Sequence, residues 1–178
     1  QIPGTTWNTP NAGWKHASAT KTDGTLWVWG QNDEGQLGQN EVGSGAKYSS
    51  PVQIPGTTWS DVSMTKGSVV GAIKTDGTLW AWGWNGGGYL GQNSKVHYSS
   101  PVQVGSDTTW SSVATSAGHM VALKTDGTAW GMGGYTKGQL GLNSGGPGKY
   151  YSSPVQVPGT DYIHIEAGYE QTFWIRES

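Results

Sequence analysis

A short acidic run is the part of this sequence that most resembles a metal-binding segment. Residues Asn32-Asp33-Glu34-Gly35 place three oxygen donors in a row, which suits Ca²⁺. The run lacks the distant bidentate glutamate that completes a calcium loop. The corresponding segments later in the chain read Asn85-Gly86-Gly87 and Tyr135-Thr136-Lys137, so the donors do not recur. We therefore predict that no metal is bound here.

Histidine, serine and aspartate could together form a nucleophile with its base. The histidines are His16, His97, His119 and His164, and none has a second histidine at the spacing of a metal site. Because His16 and His119 fall at one position of a repeated segment, a structural role is favoured. The serines and aspartates are scattered through predicted turns, and the chain has no cysteine. We expect no catalytic residue, metal or cofactor, and we predict that the chain is not an enzyme.

The composition indicates a turn-rich β protein that does not bind nucleic acid. The 178 residues include 30 glycines and 11 tryptophans but one phenylalanine, and 12% are charged. The 10 basic and 12 acidic residues form no run of either sign, whereas nucleic-acid binders carry a basic stripe. No apolar run is long enough to span a bilayer, so membrane insertion is not expected.

Four short phrases recur in fixed order at a period of about fifty residues. Lys-Thr-Asp-Gly-Thr begins at Lys21, Lys74 and Lys124. Ser-Ser-Pro-Val-Gln begins at Ser49, Ser99 and Ser152, and Thr-Thr-Trp and Leu-Gly recur between these phrases. The chain, as one repeat domain, therefore divides into copies at residues 1–52, 53–102 and 103–155, with half a copy at 156–178.

Each copy is predicted to form four short antiparallel strands. In the second copy these are Trp59 to Met64, Val69 to Lys74, Thr78 to Trp82 and Pro101 to Val104. Asp76-Gly77 is a two-residue hairpin signal, because such a turn needs positive φ and glycine adopts it at little cost. A proline is best tolerated on an edge strand, so the fourth strand is placed at the rim. The fold class is all-β, with β-propeller blades of four antiparallel strands: three full blades and a half.

Two segments carry a resemblance to a known family. Residues 23–38 read Asp-Gly-Thr-Leu-Trp-Val-Trp-Gly-Gln-Asn-Asp-Glu-Gly-Gln-Leu-Gly, and residues 76–91 are close to them. With Gly13 and His16 before Ala19, and His119 before Ala122-Leu123, the chain resembles the regulator-of-chromosome-condensation repeat family. Departures from the family pattern stand at Lys66, Val69, Ser116, Met132, Tyr135 and Gln171.

The resemblance implies a ring of seven blades, which three and a half blades do not close. We therefore expect either a piece of a longer chain or an assembly component whose open ends are covered by other copies, since unpaired edges and apolar faces invite association. Family roles would include guanine-nucleotide exchange on a small GTPase with chromatin binding, or inhibition of an enzyme. The missing basic patch argues against chromatin.

The candidate binding residues are those that vary between copies. Tryptophans in the strands are predicted to pack between blades, whereas Trp14 and Trp84 have no equivalent in other copies and would either anchor a ligand or cover a neighbouring hydrophobe. The segments before each Ser-Ser-Pro phrase vary most, and variable loops on one face carry recognition in repeat proteins. They contribute Lys47, Tyr48, His97, Tyr98, Lys149, Tyr150 and Tyr151.

The sequence leaves more than one function open. The first prediction is a non-catalytic structural or protein-interaction propeller on a virion or cell surface, whose partner is another protein, another copy or further blades. The alternatives are a carbohydrate-binding propeller, in which a glycan is the partner, and the exchange-factor or inhibitor roles that the resemblance implies. Fold resemblance alone does not decide among them.

Overall fold

β-Strands supply the regular secondary structure of the computed structural model, which describes residues 6–65, 67–134, 136–143 and 149–177. Within these ranges no helix is long and apolar enough to cross a membrane. The all-β prediction is confirmed. Lys66, Tyr135 and residues 144–148, which belong to the segments discussed above, lie outside the described ranges.

The strands form three sheets of four and one of two. Blade 1 contains β1 (Trp7–Ala12), β2 (His16–Lys21), β3 (Leu26–Gly30) and β4 (Tyr48–Ile54). Blade 2 contains β5 (Trp59–Met64), β6 (Val69–Lys74), β7 (Leu79–Gly83) and β8 (Tyr98–Gln103). Blade 3 contains β9 (Trp110–Thr115), β10 (His119–Lys124), β11 (Ala129–Gly134) and β12 (Tyr150–Gln156). The half-blade contains β13 (Tyr162–Ala167) and β14 (Thr172–Arg176).

Neighbouring strands of each sheet pair antiparallel in chain order. Strand β5 lies against β9, and β9 against β13, so the first strands of successive blades meet on the inside of the array. The fourth strand of each complete blade is the outer edge strand, as predicted.

The fourth strand begins earlier than predicted. β8 starts at Tyr98 rather than Pro101, and β4 and β12 likewise start ahead of their prolines. Pro101 can lie inside the strand because its missing N–H faces no further strand at an edge. As a result, Tyr48, Tyr98 and Tyr150 belong to strand starts and not to the loops.

The hairpin between the second and third strands is stabilised by one set of side chains, here called the turn clamp: Lys74, Asp76, Gly77, Thr78 and Trp80. Gly77 has a φ of 77°, as the Asp-Gly signal requires. The Asp76 carboxylate accepts hydrogen bonds from the Thr78 N–H at 3.0 Å and its hydroxyl at 2.6 Å, and the Trp80 indole N–H donates to that hydroxyl at 2.8 Å. Lys74 Nζ lies 3.9 Å from the centre of the Trp80 ring.

The same clamp recurs in blades 1 and 3. Asp23 and Asp126 accept the same pair of hydrogen bonds from Thr25 and Thr128. In all three blades the threonine hydrogen bonds hold the pKa of the aspartate below its usual value. The clamp explains why the Lys-Thr-Asp-Gly-Thr phrase is repeated without change.

Apolar cores lie between blades, one at each of the three junctions. Trp82 of blade 2 is fully buried against Leu26, Leu37 and Ile54 of blade 1, and its indole N–H donates to the Gln36 carbonyl at 3.0 Å. This confirms the prediction that the strand tryptophan packs between blades. Trp29, at the same position of blade 1, faces away from blade 2 and is half-buried against Trp7.

Blades 1 and 2 are each also tied to the outer strand of the blade that follows. The Asn40 N–H donates to the Ser99 carbonyl at 2.7 Å, and the Asn93 N–H donates to the Ser152 carbonyl at 2.6 Å. Both asparagines have a positive φ, of 60° and 51°, a conformation that asparagine tolerates better than most residues. The loops after the third strands are therefore fixed at both the blade that carries them and the blade that follows.

Candidate functional site

The array has two unlike faces. One, the turn face, contains the Asp-Gly hairpins and the connections between blades. The other, the loop face, contains the short turns between first and second strands and the long loops between third and fourth strands. The residues predicted to bind a partner lie on or beside the loop face, so this face is the candidate functional site.

A buried asparagine organises each of the first two long loops. The Asn32 side chain accepts a hydrogen bond from the Leu37 N–H at 2.9 Å and donates to the Glu41 carbonyl at 2.9 Å. Asn85 likewise accepts from the Leu90 N–H at 3.0 Å and donates to carbonyls further along its loop. Asn32 is therefore a scaffold residue, which the sequence reasoning missed. In both copies an asparagine stands two residues after the glycine of the Trp-Gly pair, and this recurrence was the available sign of a scaffold role.

The long loops of neighbouring blades contact one another. His97 Nδ1 of blade 2 lies 3.6 Å from a Glu34 carboxylate oxygen of blade 1. Lys95 of blade 2 lies over the Tyr150 ring of blade 3, 5.0 Å from its centre. Because these contacts bridge both boundaries, the long loops of blades 1 and 2 and the start of β12 in blade 3 form one continuous surface.

A cavity of about 540 Å³ opens on the loop face of blade 1. Lys47 and Tyr48 line it together with Asp33, Ser44 and Ser49. The Tyr48 hydroxyl donates a hydrogen bond to Glu41 at 3.1 Å, and that bond raises the pKa of Tyr48. The cavity thus offers a cation, a carboxylate and an aromatic ring to a partner.

The predicted tyrosines differ in exposure. Tyr48, Tyr98 and Tyr151 are half-buried and pack against the junction cores, and Tyr98 contacts two of these cores. Tyr150 has no counterpart in the other copies and is 43% exposed. Lys149 beside it is also exposed. Of these four predicted tyrosines, Tyr150 therefore has the most surface left for a partner.

The two unrepeated tryptophans have different surroundings. Trp84 is half-buried against the core between blades 2 and 3, with its ring centre 5.2 Å from that of Tyr89 and 6.0 Å from that of His97. Trp14 lies between β1 and β2 and is 69% exposed, with Lys15 Nζ 4.9 Å from its ring centre. Trp84 thus covers a neighbouring hydrophobe, whereas Trp14 presents its ring to solvent.

The two repeated histidines are buried. Burial lowers the pKa of both His16 and His119 from the usual 6.5 to about 4, so each ring is neutral at pH 7. His119 Nε2 lies 2.9 Å from the Thr172 hydroxyl of the half-blade. Within the described ranges, no three histidine or acidic side chains converge as metal ligands.

Comparison with solved structures identifies relatives of this fold. Prp20p from Saccharomyces cerevisiae superposes with a TM-score of 0.82 and 20% sequence identity, covering 97% of this chain and 44% of Prp20p. Yeast RCC1 (Prp20) bound to Kap60 gives a TM-score of 0.79 and 21% identity. Human WBSCR16 gives 0.76 and 18% identity over 90% of this chain and 43% of its own. The chain therefore spans less than half the length of these structures, and the likeness shows the fold.

Sequence comparison identifies the family. No curated protein sequence is significantly similar to the chain. The model of the Regulator of chromosome condensation (RCC1) repeat matches residues 23–66 and 76–123, which together make up more than half of the chain. These two matches begin at the aspartates of the first two turn clamps, and with the propeller blades described above they place the chain in the regulator-of-chromosome-condensation (RCC1) repeat family.

Proposed function

We propose that the chain is a non-catalytic protein-interaction module that binds its partner through the loop face. The contact surface runs from the blade 1 cavity at Lys47 and Tyr48 to Tyr150 of blade 3. The observation that carries the proposal is that Glu34 contacts His97 in the next loop and Lys95 contacts Tyr150 at the start of β12, so the segments of three blades meet in one surface.

The contrast between scaffold and surface supports this proposal. The turn clamps and the loop asparagines recur, whereas the side chains that the loops present differ from blade to blade. A rigid scaffold that displays unlike loops is how repeat proteins commonly recognise partners. Tyrosine adds contact area at low cost in conformational entropy.

The proposal can be tested by site-specific photo-cross-linking in cells that express the protein. A photoactivatable phenylalanine analogue replaces Tyr48 or Tyr150 on the loop face, and Thr75 or Thr125 on the turn face serves as the exposed control. We expect one partner protein to be trapped from both loop-face positions and from neither control. A partner trapped from the turn face alone would overturn the proposal.

The partners of the structural neighbours supply defined probes. The solved structures concern Prp20p with its binding to Gsp1p and histones, and yeast RCC1 bound to Kap60. An exchange-factor role for this chain predicts accelerated release of labelled GDP from Gsp1p. We expect no acceleration, because no stretch of the sequence identifies an exchange surface.

A second protein contact is proposed on the outer sheet face of the half-blade, where further blades or a second copy of the chain would pack. Phe173 and Ile175 there occupy the positions of Val121 and Leu123, which blade 3 buries against the half-blade. Phe173 is 57% exposed. We expect concentration-dependent association of the 178-residue chain in sedimentation, abolished by Phe173→Lys/Ile175→Lys.

Display on a virion or cell surface belongs to the same proposal. Low charge and a surface rich in threonine, serine and glycine support it. Antibody labelling of intact particles or cells from the source tests this location, and signal seen only after lysis would contradict it.

A further inference from the structure

The loop face contains one equivalent position at each of the three blade junctions. At the junction of blades 1 and 2, this position is formed by Trp14, Lys15, Gln31, Gln36 and Ser68. At the junction of blade 3 and the half-blade, the repeat places Ala117, Gly118, Gly134, Gln139 and Glu170 at the same five places. The structure thus presents the same position with three different sets of side chains.

The middle junction is filled by the chain's own rings. Trp84 stands where blade 1 has Gln31, and Tyr89 stands where blade 1 has Gln36. Their ring centres are 5.2 Å apart, and Tyr89 is 8% exposed and lies beside Gly133 of blade 3. The middle junction shows that a ring-sized group fits at this position.

The two flanking junctions are open. The first holds a cavity of about 160 Å³ and the last one of about 200 Å³, each smaller than the 300–1,000 Å³ or so of a site for drug-sized ligands. Each has a largely exposed aromatic ring at its wall, Trp14 in the first and Tyr169, 66% exposed, in the last. Each cavity therefore has room for one ring with an aromatic surface beside it.

A glutamine amide is pre-oriented in both open cavities. The side-chain oxygen Oε1 of Gln36 accepts a hydrogen bond from the Glu34 backbone N–H at 2.9 Å. The side-chain oxygen Oε1 of Gln139 accepts the equivalent hydrogen bond from the Lys137 backbone N–H at 2.8 Å. Because the carbonyl end is held by the loop, the amide NH₂ is the end with donor capacity for a ligand.

We propose that these two cavities are sugar-binding sites, each taking one pyranose ring of a glycan. The aromatic ring stacks on the C–H face of the sugar, while the glutamine NH₂ donates to a sugar oxygen. Carboxylates accept from sugar hydroxyls: Asp33 and Glu34 in the first cavity, and Glu170 in the last. This binding is an activity distinct from the protein contact proposed above, although Asp33 also lines the blade 1 cavity and Tyr150 also lines the last cavity.

A sugar suits the lining better than an aromatic side chain or a cation from a protein partner. An inserted aromatic side chain would remove the carboxylates and amides from water without replacing their hydrogen bonds, which is costly. In the first cavity a cation would be repelled by Lys15. In the last cavity Thr136 replaces Asp33 of the first, so one carboxylate that would attract a cation is missing. The features that both cavities share are an aromatic ring and an amide, which suit a neutral polar ring.

Calorimetric titration of the purified chain with methyl glycosides of glucose, galactose, mannose and N-acetylglucosamine tests the proposal. We expect at least one glycoside to bind at two sites per chain with weak, millimolar affinity. Trp14→Ala and Tyr169→Ala should each remove one of the two sites. Val42→Ala, at an apolar residue of similar exposure outside both cavities, should leave both sites unchanged.

A closing variant gives an independent readout. Gln31→Trp/Gln36→Tyr copies the Trp84–Tyr89 pair into the first junction and should abolish binding there while the fold, followed by circular dichroism, is retained. The proposal is overturned if no glycoside binds, if binding survives both aromatic substitutions, or if p-cresol, an analogue of the tyrosine side chain, binds at both cavities while the glycosides do not. Failure here would leave the photo-cross-linking result for the protein partner untouched.

Discussion

The turn face and the loop face of this propeller are built from the same repeat but vary in opposite ways. On the turn face, three blades carry the same aspartate, threonine and tryptophan in the same hydrogen bonds, and the same lysine over the tryptophan ring. On the loop face, blades 1 and 2 share the asparagine framework. The junction positions, however, contain glutamines in one place and a tryptophan and tyrosine in contact in another.

This difference separates stability from recognition within one repeat. Residues that recur either close a hairpin or bury a junction, so their replacement should reduce the free energy of unfolding. Exposed residues that do not recur, such as Tyr150, lie over a scaffold that is complete without them, so their replacement should affect binding. The predictions below test that separation, beginning with the largest effect.

Trp82→Ala should lower the free energy of unfolding by about 3–5 kcal/mol, because it empties the core between blades 1 and 2. Trp29→Ala is the matched control, since Trp29 occupies the same repeat position but is half-buried. It should cost clearly less. Denaturant unfolding of the two variants measures the difference. Equal losses of unfolding free energy would show that burial of Trp82 at the junction does not account for its contribution to stability.

The buried histidines should make stability dependent on pH. The folded pKa of His16 and His119 is about 4 and the usual value is 6.5, so the unfolded chain binds more protons between these values. The contribution of the two neutral histidines to the free energy of unfolding should be fully present above pH 6.5. It should fall as the pH decreases toward 4, with a slope of up to about 1.4 kcal/mol per pH unit for each histidine.

Valine substitution supplies the control for this pH effect, because Val69 already occupies the same position in blade 2. His16→Val/His119→Val should flatten the dependence of the melting temperature on pH between 6.5 and 4. If the melting temperature of the double variant depends on pH as steeply as that of the parent chain, other groups account for the loss of stability in acid.

Gly77→Ala should destabilise the chain by more than about 1 kcal/mol. The glycine has a positive φ, and an added Cβ would lie 2.0 Å from the Thr108 carbonyl oxygen. Gly43 on the loop face also has a positive φ, of 111°, but a Cβ there would meet nothing within 4 Å. Thermal unfolding should therefore rank Gly77→Ala well below Gly43→Ala, and the reverse order would contradict the assignment of the turn face as scaffold.

Thr78→Val should cost about 1 kcal/mol, because it breaks the clamp while preserving side-chain shape. Tyr150→Ala on the loop face should stay within about 0.5 kcal/mol of the parent. Chemical denaturation of both variants sharpens the comparison between the faces. A larger loss for Tyr150→Ala than for Thr78→Val would assign that tyrosine to the scaffold.

Much of the scaffold was predictable from the sequence. The Asp-Gly signal located the hairpins, and strands β5 and β6 have the predicted bounds. These features depend on local chemistry, such as positive φ at glycine and alternation along a strand. The start of the fourth strand was missed because its first residues pair with β7 across a bulge, and no local pattern records that pairing.

The loop face was less predictable, because exposure there depends on neighbouring blades. Trp84 and Trp14 look alike in the sequence, yet one fills a junction and the other stands in solvent. Tyr98 and Tyr150 likewise divide into a core contact and an exposed ring. The fact that Tyr48, Tyr98 and Tyr151 recur was the available signal that these three rings also support the scaffold.

The most direct test of the account is the affinity of the Lys47→Ala/Tyr150→Ala chain for the partner that photo-cross-linking identifies, measured beside Thr75→Ala on the turn face. The account predicts that the dissociation constant of the double variant rises more than about tenfold, or 1.4 kcal/mol, while its melting temperature and the affinity of Thr75→Ala stay unchanged. Unchanged affinity in the double variant, or an equal loss in Thr75→Ala, would contradict recognition by the loop face.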